Sequence, residues 1–236
     1  MDTTIIESMI GQAIADGQAA GDLTDLLAAV ADSNGREPDT AQLSRGAGFV
    51  LAYIELVPYM IKVAHTAAHN VGLEDEMRRI LDMAHSYWLE DDDVIPDELG
   101  VIGVLDDAYC SLTSLQTVSD HYRLLTGKHL FPDDLTGANA AMREVIGEPY
   151  ATELDRIVER ALNETGLVES VRNLAEDEKR INLGSDSTIW SHGPVSRIDI
   201  GELAGLAAEA FHVQLDDSFP QEPDPISSVP LLPMVA

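Results

Sequence analysis

Apolar residues recur along most of this chain at the three- and four-residue steps that line one face of an α-helix. Ile5, Ile6, Met9, Ile10, Ala13 and Ile14 mark a first amphipathic helix. The glycines at 17 and 21 predict its end, and Asp22 or Thr24 suits the cap of a short second helix through Leu26 to Ala31. Asp32 to Thr40, DSNGREPDT, reads as a loop by its turn chemistry. A long helix is predicted from about Leu43 to Asn70, bent at Pro58. Met77, Ile80, Leu81, Ala84 and Trp88 then form one face of a helix over Glu74 to Leu89. After an acidic turn comes a helix over Val104 to Thr126, with Leu105, Ala108, Leu112, Leu115 and Tyr122 facing inward. Further helices are predicted over Asp133 to Ile146, Pro149 to Asn163, Val168 to Arg180 and Ile200 to Val213. Residues 182–196 are the least helical stretch, a small hairpin or an ordered loop. No block alternates with the period of a strand. The expected fold is all-α, an irregular multi-helix bundle around a central helical hairpin. It forms a single domain over residues 1–215, followed by an acidic, proline-rich tail over 216–236.

Composition narrows this picture. At 236 residues and 45% hydrophobic, the chain can bury a sizeable core, and with aromatics at 5% that core is mostly Ala, Leu, Ile and Val. The longest apolar stretch, Gly48 to His65, is interrupted by Glu55, Pro58 and Lys62, so no membrane span is expected. The first residues lack the basic region of a signal peptide, and the single cysteine, Cys110, excludes an internal disulfide. Both point to a cytoplasmic protein.

Charge is the strongest global feature. Fourteen Lys and Arg against 42 Asp and Glu leave a formal charge of −28, a field that repels nucleic acid and anionic membranes and favours basic proteins or divalent cations. A nucleic-acid mimic would gather these carboxylates into a stripe. Here they are spread along nearly every predicted helix, and Lys62, Lys128 and Lys179 are the only lysines, which favours a generally acidic surface.

The acidic turn carries the most specific motif. Asp91, Asp92, Asp93 and Asp97 precede the apolar pair Val101-Ile102, and Asp106 and Asp107 follow it. Pro96 forces Ile95 out of helical geometry. Asp93 and Asp97 suit acceptors for the free N–H groups of a turn, and Gly103 suits an unusual φ or a close helix approach. Asp106 and Asp107 occupy the first turn of the next helix, where the macrodipole favours negative charge. On a helical wheel Asp107 borders the apolar face and is the expected reach back to the turn. Asp106 lies opposite that face, toward solvent or a ligand. Three readings stay open: a structural turn held by carboxylates, a Mg²⁺ or Ca²⁺ site built from Asp93, Asp97, Asp106 and Asp107, or a catalytic acid–base pair. The alternating ligands and glycine of an EF-hand are missing.

The pattern Asp93-x-Ile95-Pro96-Asp97, five residues, then Gly103-x-x-Asp106-Asp107 resembles the YkvA-like family, a small helical domain of unknown function, over residues 77–126. The resemblance implies a local helical hairpin and no established activity. Glu98, Leu99 and Gly100 stand where many relatives have an apolar pair and a second proline.

His65 and His69 are four residues apart, a spacing that lets two imidazoles share a metal, and Asp82 and His85 on the next helix can complete such a set. The glutamate of an H-E-x-x-H hydrolase is absent, Thr66 standing in its place. Cys110 and His121 lie three turns apart and form no dyad. Phosphate-binding loops, dinucleotide fingerprints and zinc-finger spacings are absent. The expected function is non-enzymatic: binding of another macromolecule, a basic protein, through the acidic surface or the apolar end of the tail, VPLLPMVA. The alternatives are a metal-dependent enzyme using the aspartate turn and a nucleic-acid mimic. No cofactor beyond a divalent cation is expected, no direct nucleic-acid contact, and a homo-oligomer remains compatible.

Overall fold

The computed structural model describes residues 3–173, apart from 16–18, 90–93, 97, 98, 132 and 168. Its helices are α1 (Thr4–Ala15), α2 (Ala19–Ser33), α3 (Thr40–Val71), α4 (Glu74–Tyr87), α5 (Leu105–Thr126), α6 (Thr136–Ile146) and α7 (Tyr150–Glu164), with 169–173 also helical. No strand occurs among the described residues, so the fold is all-α as the periodicity predicts. The expected helix over Ile200 to Val213, the stretch 182–196 and the tail 216–236 lie outside the described residues.

Local chemistry sets the helix ends. At the start of α3, Asp39 accepts from the Gln42 N–H at 2.8 Å while the Gln42 side chain accepts from the Asp39 N–H at 2.9 Å. Such a reciprocal cap is worth about 1 kcal/mol. Gly72 ends α3 at φ 75°, a left-handed conformation that glycine takes without a steric penalty. The second helix is longer than expected. Gly21 lies inside α2, because burial of Ala19, Leu23, Leu27 and Ala31 outweighs the roughly 1 kcal/mol that an interior glycine costs.

Helices α3 and α5 form the axis of the bundle. α1, α2 and α4 pack on α3, and α4, α6 and α7 pack on α5, which also touches α3. The α4–α5 hairpin is therefore present, with α3 sharing its central place. Being covered from several sides changes what each central helix buries. As the period predicts, α3 passes through Glu55, Pro58 and Lys62 as one helix. Among its exposed positions Gly48, Glu55, Lys62 and His69 recur every seven residues and mark an outward stripe, which widens at the two ends where Ala41, Ser44, Arg45, His65 and Asn70 are also exposed. α3 is thus long and apolar enough to cross a membrane by length and composition, and 61% of its most apolar window is buried inside the fold. A helix that is the core of a bundle meets the same test.

α5 is buried more completely. Its expected inner face is fully inside, with Leu105, Ala108, Leu112, Leu115 and Tyr122 at most 1% exposed. Of the side expected to be polar, Asp106 and Cys110 are buried while Thr113, Thr117 and His121 are half-buried, and Asp107, Ser111, Ser114 and Ser119 are buried elsewhere around the helix. Small hydroxyl residues on α5 allow neighbouring helices to approach closely, and each buried polar group then has to find a partner.

Candidate functional site

The turn between α4 and α5 is built around one carboxylate. Asp106 Oδ2 accepts the Ile95 N–H at 3.0 Å and the Tyr87 hydroxyl at 3.2 Å, and Oδ1 accepts the Asp107 N–H at 3.1 Å. A side chain in the first turn of α5 thereby ties down the end of α4 and the residue ahead of Pro96. Next to it, Trp88 Nε1 donates to Ser111 Oγ at 3.0 Å within the core. The expected roles of the two acids are corrected: Asp106 reaches back to the turn and does not face solvent. The wheel placed Asp106 away from the apolar face of α5, but α4 covers that side, so both Asp106 and Asp107 are 0% exposed. Burial raises the Asp106 carboxyl above its ordinary pKa, against the bonds from Ile95 and Tyr87 that favour the ionised form. The unusual backbone is also at a different glycine. Gly100 takes the left-handed conformation, at φ 63°, and Gly103 is a buried residue without it.

The expected metal ligands are not assembled among the described residues, where no three His, Cys, Asp or Glu side chains are placed to hold an ion. Asp93 and Asp97 lie outside the described residues. Asp106 already accepts three bonds from protein donors, two on Oδ2 and one on Oδ1. His65 and His69 are exposed on α3, and His69 pairs with Glu74. Asp82 is exposed and His85 half-buried on α4, and the four do not converge. α4 presents its apolar face, Met77, Ile80 and Leu81, to the core, which turns Asp82 outward.

Two polar arrangements were not visible in the sequence. Tyr53 of α3 donates to Asn139 Oδ1 of α6 at 2.8 Å, a buried bond spanning 86 positions of sequence. Tyr109 of α5 donates to Asp155 Oδ1 of α7 at 2.7 Å. The second Asp155 oxygen accepts Arg143 Nε of α6 at 2.9 Å, and Arg143 also donates to Glu148 at 2.8 Å. This chain of bonds staples α5, α6 and α7 together. Burial raises the Tyr53 and Tyr109 hydroxyls above the ordinary tyrosine range, and Asp155 beside Tyr109 adds to it there. Both phenols are therefore protonated donors at neutral pH. The available signal was general: a tyrosine within an apolar helix face needs a partner for its hydroxyl.

No protein-family model, curated protein or solved structure matches the chain. Chemistry must therefore be read from the arrangement itself. Arg143 and Glu148 open onto a cleft of about 460 Å³ between the last turn of α2 and the α6–α7 turn. Ala29, Val30 and Ile146 line it with apolar surface, and Asn34, Glu144 and Gly147 add polar groups. Asp106 is an acceptor fixed in the core and the Tyr109–Asp155–Arg143 chain is a structural staple. Neither presents a nucleophile beside a base.

Proposed function

We propose that this chain is a non-catalytic binding module that takes a basic protein partner through its acidic helical surface. One observation carries the reading: local ion pairs occupy much of the scarce positive charge, and carboxylates remain in excess on the surface. Lys62 pairs with Glu7, Arg79 with Glu76, Arg143 with Glu148 and Asp155, Arg156 with Glu153, and Arg172 with Glu169. Exposed acids such as Asp25, Glu55, Asp82, Glu144, Glu159 and Glu164 come from α2, α3, α4, α6 and α7. Their spread over so many helices supports a general electrostatic surface more than a phosphate-like stripe, and its field speeds encounter with a basic partner. Kinship with the YkvA-like family is part of this proposal for the α4–α5 hairpin alone, and it brings no activity.

The test is affinity capture from native cytosol at low and high salt, with the natural chain and with a Glu55→Gln, Glu159→Gln, Glu164→Gln variant. A stoichiometric basic protein, lost at high salt and weakened in the variant, is the expected result. Capture of no partner at low salt, with metal-dependent turnover of a small molecule, would replace this reading with the enzymatic one.

A further inference from the structure

The cleft between the last turns of α2 and α6 has a chemistry distinct from the rest of the acidic surface. Its floor is apolar, from Ala29, Val30 and Ile146. Both helices end at it. The α2 end is closed by its own turn, where the Val30, Ala31 and Asp32 carbonyls accept from Asn34, Arg36 and Gly35. The α6 end stays open, and a helix C-terminus carries roughly half a negative charge on its unanswered carbonyls. At the end of α6, the Gly147 N–H returns to the Arg143 carbonyl, and no described backbone N–H answers the carbonyls of Glu144 and Ile146. Among the described residues lining the cleft the cation is Arg143, already shared between Glu148 and Asp155. Glu144 is exposed and takes part in no ion pair. An apolar floor beside the open, negative end of α6 and an uncommitted carboxylate suits a cation on a hydrocarbon stem.

We infer that this cleft binds a primary alkylammonium group, its methylenes against Ala29, Val30 and Ile146 and its N–H donors on Glu144 and the α6 end. An ammonium supplies three donors and no acceptor, which matches a wall of carbonyl and carboxylate oxygens. Such a group comes from a lysine side chain of a protein or from a free diamine. Only the lysine source rests on the basic-partner reading above, and small probes test the cleft whether or not that reading stands.

The experiment uses the full chain, labelled with ¹⁵N, titrated with Nα-acetyl-lysinamide, with putrescine, and with Nα-acetyl-norleucinamide, which keeps the stem and lacks the charge. The amides of Val30, Asn34 and Gly147 are expected to shift with both amines and not with the norleucine compound. Tighter binding of the lysine derivative assigns the site to a partner's side chain, and tighter binding of putrescine to a free amine. Ala29→Phe, at an exposed position that tolerates a ring, is expected to abolish the shifts by filling the cleft. Glu144→Gln is expected to weaken them about threefold, the effect of one partly exposed charge. Shifts scattered over many acidic residues and unchanged by Ala29→Phe would overturn the site, as would equal shifts with the norleucine compound. If affinity capture fails while these shifts appear, the basic-partner reading falls and the cleft stands.

Discussion

Exchanging Asp106 tests how the α4–α5 turn is held. In Asp106→Ala three donors lose their acceptor: the N–H groups of Ile95 and Asp107 and the Tyr87 hydroxyl. A buried donor left unanswered costs about 1–3 kcal/mol. Tyr87 and Ile95 are half-buried, so water can recover part of that loss. A total of about 3 kcal/mol is expected, a large share of the roughly 5–15 kcal/mol that stabilises a typical domain. Asp106→Asn keeps one oxygen, enough for the pair of donors on Oδ2, but turns an amide N–H₂ toward the Asp107 N–H. Its expected cost is about 1–2 kcal/mol.

The pH dependence separates this reading from a metal or catalytic role. Burial raises the folded-state pKa of Asp106 above its model-peptide value of 3.8. Between the unfolded value and the raised one, the folded chain holds the proton more often than the unfolded chain, so this group's contribution to stability falls as pH rises. Asn cannot ionise and resembles the protonated acid. The penalty of Asp106→Asn should therefore be largest in acid and shrink as pH rises from about 4 toward neutrality. Urea unfolding of both chains across that range, followed by far-ultraviolet circular dichroism, measures it. A penalty that grows with pH would mean that the folded state favours the carboxylate, as a cation site does, and would refute the reasoning.

Other substitutions probe the frame around the turn. Leu112→Ala, at a position 0% exposed on α5, should lower stability by about 3 kcal/mol in the same urea assay, through lost burial and the cavity left behind. Tyr109→Phe removes the bond to Asp155 but leaves Arg143 in place. It should cost about 1 kcal/mol, and a double-mutant cycle with Arg143→Gln should show that the two residues are coupled through Asp155. Lys62→Ala breaks a pair whose partners are 49% and 46% exposed, so solvent screening leaves an effect below about 0.5 kcal/mol that disappears in salt.

The sequence made the helices legible and left their surroundings hidden. Period and turn chemistry placed α3, α4, α5 and α7 to within a few residues, because each has an apolar face dense enough to read locally. Gly21 misled, since an interior glycine and a terminal one look alike until it is known what the flanking Ala19 and Leu23 pack against. Glu55, Pro58 and Lys62 interrupt the apolar run without ending the predicted helix. They look like interruptions in a one-dimensional run, yet Glu55 and Lys62 fall on a single outward stripe of α3. Pro58 is buried within a helix whose neighbours hold it in place.

The candidate site was less legible, because the number of neighbours a helix has is a property of the fold. A wheel divides α5 into one apolar and one polar side, and on a helix covered from one direction Asp106 would indeed be wet. With α3, α4, α6 and α7 all against α5, the start of its polar side, at Asp106, Tyr109 and Cys110, is interior, and the rest is half-buried. Buried polar residues of α5 bond to other parts of the fold: Asp106 to the turn, Ser111 to Trp88, and Tyr109 to Asp155. These partners lie from 11 to 46 positions away in sequence, at spacings that no local motif encodes. The aspartate motif was thus recognisable as a turn that needs an acceptor, while which aspartate supplies it depended on where α4 lies. The same logic gives the cleft its character. Arg143 is drawn onto Asp155 and Glu148, and the acidic residue beside it, Glu144, is left facing outward at the point where α2 and α6 both end.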